Sequence, residues 1–147
     1  MFNRNGAMGL RLRCIEWDGD YSIGHEIIDL EHKLLFFKAN AFITAVKHGL
    51  GAERILPMLE TLTEYAKTHF FDEELLMSEK CYSGFLQHKA CHDGFLSAID
   101  AFKTQVAHGD NISEELAYFM QNWLQEHVSK VDTELRHYIP TPPPGGV

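Results

Sequence analysis

Apolar side chains recur every three or four residues in four stretches of the chain, with polar side chains between them. This spacing puts the apolar positions of each stretch on one face, as in amphipathic helices that share a core. The first stretch starts at about Ser22, and the second has Pro57 in its first turn, where proline is tolerated. Short polar or glycine-containing breaks separate the stretches. We therefore expect an all-α fold, an up-down-up-down antiparallel four-helix bundle.

The two ends of the chain lack this pattern and set the expected domain boundaries. Residues 1–21 show no sustained helical period and are interpreted as an N-terminal arm, followed by the bundle over residues 22–138. Residues 139–147 are rich in proline, which cannot continue a helix, so we expect a flexible C-terminal tail. Within the bundle, the segment Asp110-Asn111-Ile112-Ser113 is expected to supply N-capping side chains for the fourth helix.

Composition and charge argue against some classes of binding partner. The chain of 147 residues is 45% hydrophobic and has a formal net charge of −8. It has no dense run of Lys or Arg, which argues against nucleic acid and anionic membranes as main partners. No apolar run is long enough to cross a bilayer or to form a secretory signal. Three cysteines without CxxC spacing suit a reducing compartment, so we expect a cytoplasmic protein.

Polar residues interrupt the apolar stripe of every predicted helix. They are His32 in the first helix, His69 and Glu73 in the second, His88 and His92 in the third, and His127 in the fourth. Both pairs have a spacing of four residues, so their side chains share a helix face. A polar group buried without a partner is costly. One core histidine is usually structural, but several on converging helices indicate a metal site.

The size of this set indicates more than one metal ion. Five imidazoles, Glu73 and a nearby Asp132 exceed the four ligands of a tetrahedral zinc site, so two ions are the natural number. A bound cation would also keep buried carboxylates ionised. Imidazole and carboxylate ligands without thiolate suit iron or manganese, with zinc as an alternative.

The spacing of His127 and Asp132 does not decide whether Asp132 is a ligand. They are five residues apart, which is about 140° around an ideal helix. One side chain must reach sideways or the helix must deform locally for both to bind the same ion. On pattern alone Asp132 would lie at the surface, and spacing does not decide between these alternatives.

For four residues near the predicted ligands in sequence, the pattern predicts a role less specifically. Cys91, between two histidines of the third helix, is expected to be a small core residue. His25 precedes His32 by seven residues, and if the helix has begun there it could approach the site as a group behind the ligands or as a proton relay. Glu31 and Glu74 are expected to be solvated charges or charges behind the ligands.

Four segments together resemble the hemerythrin family, most closely its single-domain bacterial members. The segments are Ile28-Asp29-Leu30-Glu31-His32-Lys33, His69-Phe70-Phe71-Asp72-Glu73, His88-Lys89-Ala90-Cys91-His92 and residues 123–132, WLQEHVSKVD. The resemblance extends from about Trp17 to Asp132. Seven ligand positions in the same order and at matching spacing are far more specific than any single pair of histidines.

The resemblance implies a non-haem di-iron centre. His88, His92 and His127 would bind one iron, His32 and His69 would bind the other, and Glu73 and Asp132 would bridge both, with an oxo or hydroxo group as the third bridge. One position of the octahedral pair stays open on the iron with two histidines, where the resemblance places dioxygen. The family's oxygen pocket would be lined here by Leu35, Phe70, Trp123 and Leu124.

The implied function is reversible dioxygen binding for storage, delivery or sensing, by a protein that is not an enzyme. The main alternative is a di-iron redox enzyme or sensor on the same ligands, acting as an oxidase, a peroxidase or in nitric oxide handling. A bundle with structural histidines or with zinc is a further alternative. We expect a monomer, with dioxygen as its partner and an unidentified electron donor or oxygen acceptor as another.

Overall fold

Four helices with short connections make up most of the computed structural model, which describes residues 11–140. The helices are α1 (Glu26–Lys47), α2 (Ala52–Glu79), α3 (Phe85–Ala107) and α4 (Ser113–Glu126). Each packs on its neighbour in chain order, and α4 also packs on α1 and closes the bundle. The predicted all-α four-helix bundle is confirmed. Residues 1–10 of the predicted arm and 141–147 of the predicted tail lie outside the described residues.

The first helix starts later than its apolar pattern indicates. It begins at Glu26 rather than at about Ser22, because the Asp29 carboxylate accepts hydrogen bonds from Ser22 Oγ at 2.6 Å and from the Ile23 N–H at 2.8 Å. These bonds hold the preceding residues in an extended turn. His25 is the N-cap, with Nδ1 accepting from the Ile28 N–H at 3.2 Å. The helix has therefore not begun at His25, so the condition under which His25 could approach the site is not met.

Two local predictions about helix starts are also wrong. Since α2 begins at Ala52, Pro57 lies in its second turn and removes one backbone hydrogen bond there. The N-cap of α4 is Ile112, and no side chain of residues 110–113 caps the helix. Ile112 packs against the core instead, so apolar packing takes precedence over side-chain capping at this turn.

The fourth helix continues beyond Glu126 in altered form. His127–Val131 form a π-helical turn, and Asp132–Tyr138 form a 3₁₀ helix. Tyr138 is also the predicted last residue of the bundle. The π-helical turn is the main departure from regular helix geometry among the described residues, and it lies where two of the predicted ligands are.

The described part of the arm is tied to the bundle by two side-chain amides. Gln121 of α4 accepts from the Arg13 N–H at 2.7 Å and donates to the Arg11 carbonyl at 3.0 Å. Asn40 of α1 accepts from the Ile15 N–H at 2.7 Å and donates to its carbonyl at 2.9 Å. Ile15 is buried, so this part of the arm belongs to the folded core.

The apolar core consists of two clusters. The larger one includes Leu35, Phe70, Phe95 and Val128, and the smaller one consists of Ile23, Ile28, Leu76, Met77 and Leu135. Along each helix the predicted ligands lie between residues of the two clusters, so a polar layer crosses the bundle there. Within residues 11–140, no helix is both long enough and apolar enough to span a bilayer.

Candidate metal centre

All seven predicted ligands lie in the polar layer between the two apolar clusters. His32, His69, Glu73, His88, His92, His127 and Asp132 are each at most 5% exposed. Every helix contributes, because each has its polar position at the same height in the bundle. The structure therefore brings together all of the residues that the sequence singled out.

The ligand atoms of these residues form two groups that share their carboxylates. In the three-histidine group, atoms of His88, His92 and His127 lie within 4.8 Å of one another and of Glu73 and Asp132. The two-histidine group consists of His32 and His69 with the same two carboxylates, within the same distance. Two adjacent cation sites with shared carboxylates can be formed from this set.

The distances between ligand atoms fit a metal ion. His69 Nε2 lies 2.7 Å from Glu73 Oε2, His88 Nε2 lies 2.9 Å from Asp132 Oδ1, and the Nε2 atoms of His88 and His127 are 3.2 Å apart. Ligands at right angles around an ion, each roughly 2.1 Å from it, are roughly 3 Å apart. The side chains are thus spaced like neighbouring ligands of one coordination sphere.

Several buried polar atoms of the layer make no hydrogen bond. Within the described part of the chain they are His32 Nδ1, Glu73 Oε1, His88 Nδ1, His92 Nε2, Asp132 Oδ1 and Asp132 Oδ2. Each buried donor or acceptor without a partner costs about 1–3 kcal/mol. The carboxylate oxygens and the Nε2 atom are the ones that a cation would satisfy, so the residues present fit metal ions at this position.

The π-helical turn explains how Asp132 reaches the layer. The Asp132 N–H donates to the His127 carbonyl, five residues back, which widens the turn so that residues five apart face the same side. Asp132 Oδ1 lies 3.0 Å from His127 Nε2, and the side chain is 1% exposed. Of the two alternatives left open by the sequence, local deformation of the helix is the one observed.

Two carboxylates behind the ligands orient their imidazole rings. His69 Nδ1 donates to Glu31 at 2.9 Å, and His92 Nδ1 donates to Glu74 at 2.7 Å. Because Nδ1 carries the proton in each ring, Nε2 presents its lone pair to the layer. The sequence left Glu31 and Glu74 between solvated charges and charges behind the ligands, and the structure puts both behind the ligands.

In the metal-free layer, protons compensate the buried carboxylates. Burial alone would lower the pKa of His32, but Asp132 and Glu73 raise that pKa to about 10. Burial likewise opposes protonation of His88, and the same two carboxylates raise its pKa to about 9. Conversely, burial would raise the pKa of Glu73, but His69 and His32 hold it well below its usual range. Metal ions would replace these protons as the balancing positive charge.

The residues of the predicted oxygen pocket lie beside the histidines. Phe70 stacks on His92, with ring centroids 3.9 Å apart, and Trp123 stacks on His127 at 4.2 Å. Leu35 and Leu124 are each 1% exposed and belong to the larger apolar cluster. The structure thus surrounds the layer with apolar side chains, two of which hold ligand rings in place.

An open groove beside the three-histidine group was not predicted. Its volume is about 760 Å³, and its lining is largely apolar. The lining residues include Cys91, Phe119, Trp123 and His127. Cys91 is exposed, so the prediction of a core cysteine is wrong. It lies one residue before His92 and faces the groove, because the ring of His92 takes the inward position.

Comparison with known proteins gives a consistent match over most of the chain. The family model of the hemerythrin HHE cation binding domain matches residues 23–138. Bacteriohemerythrin of Clostridium acetobutylicum is 28% identical over 123 residues, which are 80% of this chain and 95% of that protein. Hemerythrin subunit 2 of Golfingia vulgaris is 32% identical over 123 residues, or 84% of this chain and 91% of that subunit.

A solved structure has the same architecture. The crystal structure of a wild-type hemerythrin superposes with a TM-score of 0.76 at 26% identity, covering 83% of this chain and 95% of that one. The range matched by the family model, residues 23–138, includes the four helices and all seven residues of the polar layer.

Proposed function

The chain belongs to the hemerythrin family, and we propose that it binds dioxygen reversibly at a non-haem di-iron centre. The observation that carries this proposal is the unequal division of histidines between two groups that share both carboxylates. A symmetric set would give two equivalent ions, whereas this set leaves one ion with fewer protein ligands. Such a difference provides one place for a small exogenous ligand.

The proposed ligand assignment follows the two groups. His88, His92 and His127 would hold one iron, His32 and His69 would hold the other, and Glu73 and Asp132 would be shared between them. With an oxo or hydroxo bridge, as the family resemblance implies, an octahedral ion in the three-histidine group is saturated. The ion in the two-histidine group keeps one open position, and we assign dioxygen to it.

The surrounding residues would make this binding reversible. A ferrous pair supplies the two electrons that dioxygen accepts on binding and returns on release. His32 is fully buried, and Leu35, Phe70 and Leu124 are at most 3% exposed. These apolar side chains exclude water and external proton donors, which would otherwise promote irreversible oxidation. Glu31 and Glu74 hold the imidazoles of His69 and His92 in the ligating tautomer.

The position of the open groove argues against a di-iron oxidase that acts on bulky organic substrates. Its lining includes His127 but neither His32 nor His69. A bulky organic substrate in the groove would therefore meet the ion without an open position. A diatomic ligand needs no such groove, which is consistent with dioxygen as the partner; we propose storage, delivery or sensing in the cytoplasm as the role.

The proposal is tested by measuring dioxygen uptake and release. The chain is loaded with ferrous ions under argon, and the iron and bound dioxygen per chain are measured through repeated cycles of air and argon. We expect two irons per chain, with one dioxygen taken up in air and given back under argon. Uptake that oxidises the irons without release would contradict the proposal and support the redox enzyme or sensor.

A further inference from the structure

The outward face of α1 carries a continuous stripe of large apolar side chains. Ile27, Leu30, Leu34 and Phe37 are 61%, 54%, 41% and 73% exposed, on the side of the helix opposite its core residues. Scattered exposed apolar residues are common, but four in line on one helix are a contiguous patch. We call these four residues the α1 stripe.

The spacing of the α1 stripe is that of a coiled-coil seam. Its residues follow one another at intervals of three, four and three, and the exposed Ala41 and Thr44 continue the pattern by four and three. Intervals that alternate between three and four define the a and d positions of a heptad repeat, where two helices pack against each other. An apolar seam of this period predicts a second helix as its occupant.

The described part of the arm lies beside the α1 stripe and leaves it open. The arm contacts α1 through Trp17, which packs on Phe36 at 5.9 Å and lies under the Lys33 ammonium at 5.3 Å. Further contacts are the packing of Tyr21 on Phe36 at 6.2 Å and the hydrogen-bonded pair of Ile15 and Asn40. These α1 residues flank the stripe on one side only.

The charges that flank the stripe exclude a parallel pair of α1 helices. In a parallel coiled coil, each g position faces the following e position of the other helix. With Ile27 as an a position, Glu26 would face Glu31 of the second copy, and Lys33 would face Lys38. Both contacts bring like charges together, which suppresses this orientation.

The same charges complement one another in an antiparallel pair. When Leu34 is set opposite Phe37 of the second copy, the seam extends over the whole helix from Ile27 to Thr44. In this register Glu26 faces Lys47 of the second copy at g positions, and a two-fold axis repeats the contact. A shift by one heptad in either direction shortens the seam.

A second contact supports the same register. Glu31 and Lys38 lie at e positions. When Leu34 pairs with Phe37 of the antiparallel second copy, Glu31 faces Lys38 of that copy, and Lys38 faces its Glu31. Both have part of their surface in solvent. We therefore propose that the chain forms a two-fold homodimer through antiparallel α1 helices, in place of the monomer expected from the family resemblance.

The size of the seam sets the expected affinity. Four large side chains on each copy form a patch at the lower end of specific interfaces, so a dissociation constant in the micromolar range is expected. Sedimentation equilibrium of the full chain at roughly 1 to 500 μM and low salt should show reversible dimerisation. A monomer at every concentration, or assemblies larger than a dimer, would overturn the proposal.

Substitutions at the seam identify the surface. Phe37→Lys introduces two charges near the two-fold axis and should weaken dimerisation at least tenfold. The matched control is Phe71→Lys, which changes an equally exposed phenylalanine on α2 (66% exposed) outside the stripe and should leave the dimer intact. Circular dichroism and Tm verify that both variants fold. Equal loss of the dimer in both variants would contradict a seam on α1.

Charge reversal identifies the orientation. Glu26→Lys and Lys47→Glu should each weaken the dimer roughly two- to tenfold, because each sets like charges opposite one another at two places. The double variant should restore it. In a parallel dimer, Glu26→Lys alone would strengthen the association, since the new lysine would face Glu31. A stronger dimer for this single variant, or no restoration in the double variant, would rule out the antiparallel register.

Discussion

The two halves of the candidate metal centre use the same kinds of ligand on different backbones. The two-histidine group lies on regular helices, with His32 on α1 and His69 on α2. The three-histidine group combines regular α3 with the π-helical turn that begins at His127. The extra histidine and the altered backbone therefore occur in the same half.

This difference has a chemical consequence. If each group holds one ion, as proposed, the π-helical turn would bring a third imidazole and a bridging carboxylate to the ion of the three-histidine group, with no position left there for an exogenous ligand. The two-histidine group receives Asp132 from the same turn but no third histidine. In the proposed centre the backbone irregularity would thus complete one half and leave the other open, so the dioxygen position is proposed in the more regular half.

The largest effect is expected at the carboxylate that both halves share. Glu73→Gln keeps the shape of the side chain but removes the charge, which lies fully buried between the two groups. Metal content should fall from two ions per chain to fewer than one, because a neutral amide cannot compensate two cations. Asp93→Asn, which changes an exposed carboxylate paired with Lys89, is the control and should retain both ions. Full loading of Glu73→Gln would refute a bridging role.

Removing one histidine should change the number and affinity of the bound ions differently in the two halves. His69→Ala leaves the two-histidine group with a single imidazole, so we expect about one tightly bound ion per chain. His127→Ala makes the halves equivalent, each with two imidazoles and two carboxylates, so two weaker ions are expected. Metal analysis after dialysis distinguishes these results. The reverse outcome would show that the groups are assigned to the wrong histidines.

The carboxylates behind the ligands should tune each half separately. Glu31→Gln should weaken metal binding in the two-histidine group, and Glu74→Gln in the three-histidine group, each by roughly 10- to 100-fold. The reason is the loss of a charged acceptor for Nδ1–H of His69 or His92. Competition with a chelator measures both affinities. An equal effect of each variant on both ions would argue against separate halves.

A smaller effect is expected in the pH dependence of stability. In the metal-free protein, burial lowers the pKa values of His32 and His88, but Asp132 and Glu73 outweigh burial. The pKa of His32 is raised to about 10 and that of His88 to about 9. Folded pKa values above the unfolded value stabilise the fold below about pH 6.5, and this stabilisation is lost as the pH rises through 9 and 10. The Tm of the metal-free protein should therefore fall more steeply between pH 7 and 10 than that of the metal-loaded protein. Parallel curves would contradict protonated imidazoles in the layer.

The ligands that lie on regular helices, in both halves of the centre, were predictable from residue spacing alone. His32, the pair of His69 and Glu73, and the pair of His88 and His92 each recur at helical intervals within an apolar stripe. A helix of constant pitch carries such positions into the core. The same reasoning predicted the four-helix bundle, because short connections force consecutive helices to be antiparallel.

The position of Asp132 was not predictable in this way. Asp132 reaches the layer only because the backbone changes its hydrogen-bond spacing after His127, and side-chain periodicity does not encode that change. Only the family resemblance indicated the ligand. The exposed Cys91 and the groove beside it were missed because both depend on how far α3 and α4 separate, which is a tertiary property.

The most direct test of the account is the position of an exogenous ligand on the loaded centre. A crystal structure of the ferric protein with azide, a small anion that fills open iron positions, would show the ligand and both ions. We expect two irons bridged by Glu73 and Asp132, with azide bound to the iron held by His32 and His69. Azide on the iron held by His88, His92 and His127 would contradict the assignment of the open position, and a single ion would contradict the shared-carboxylate centre itself.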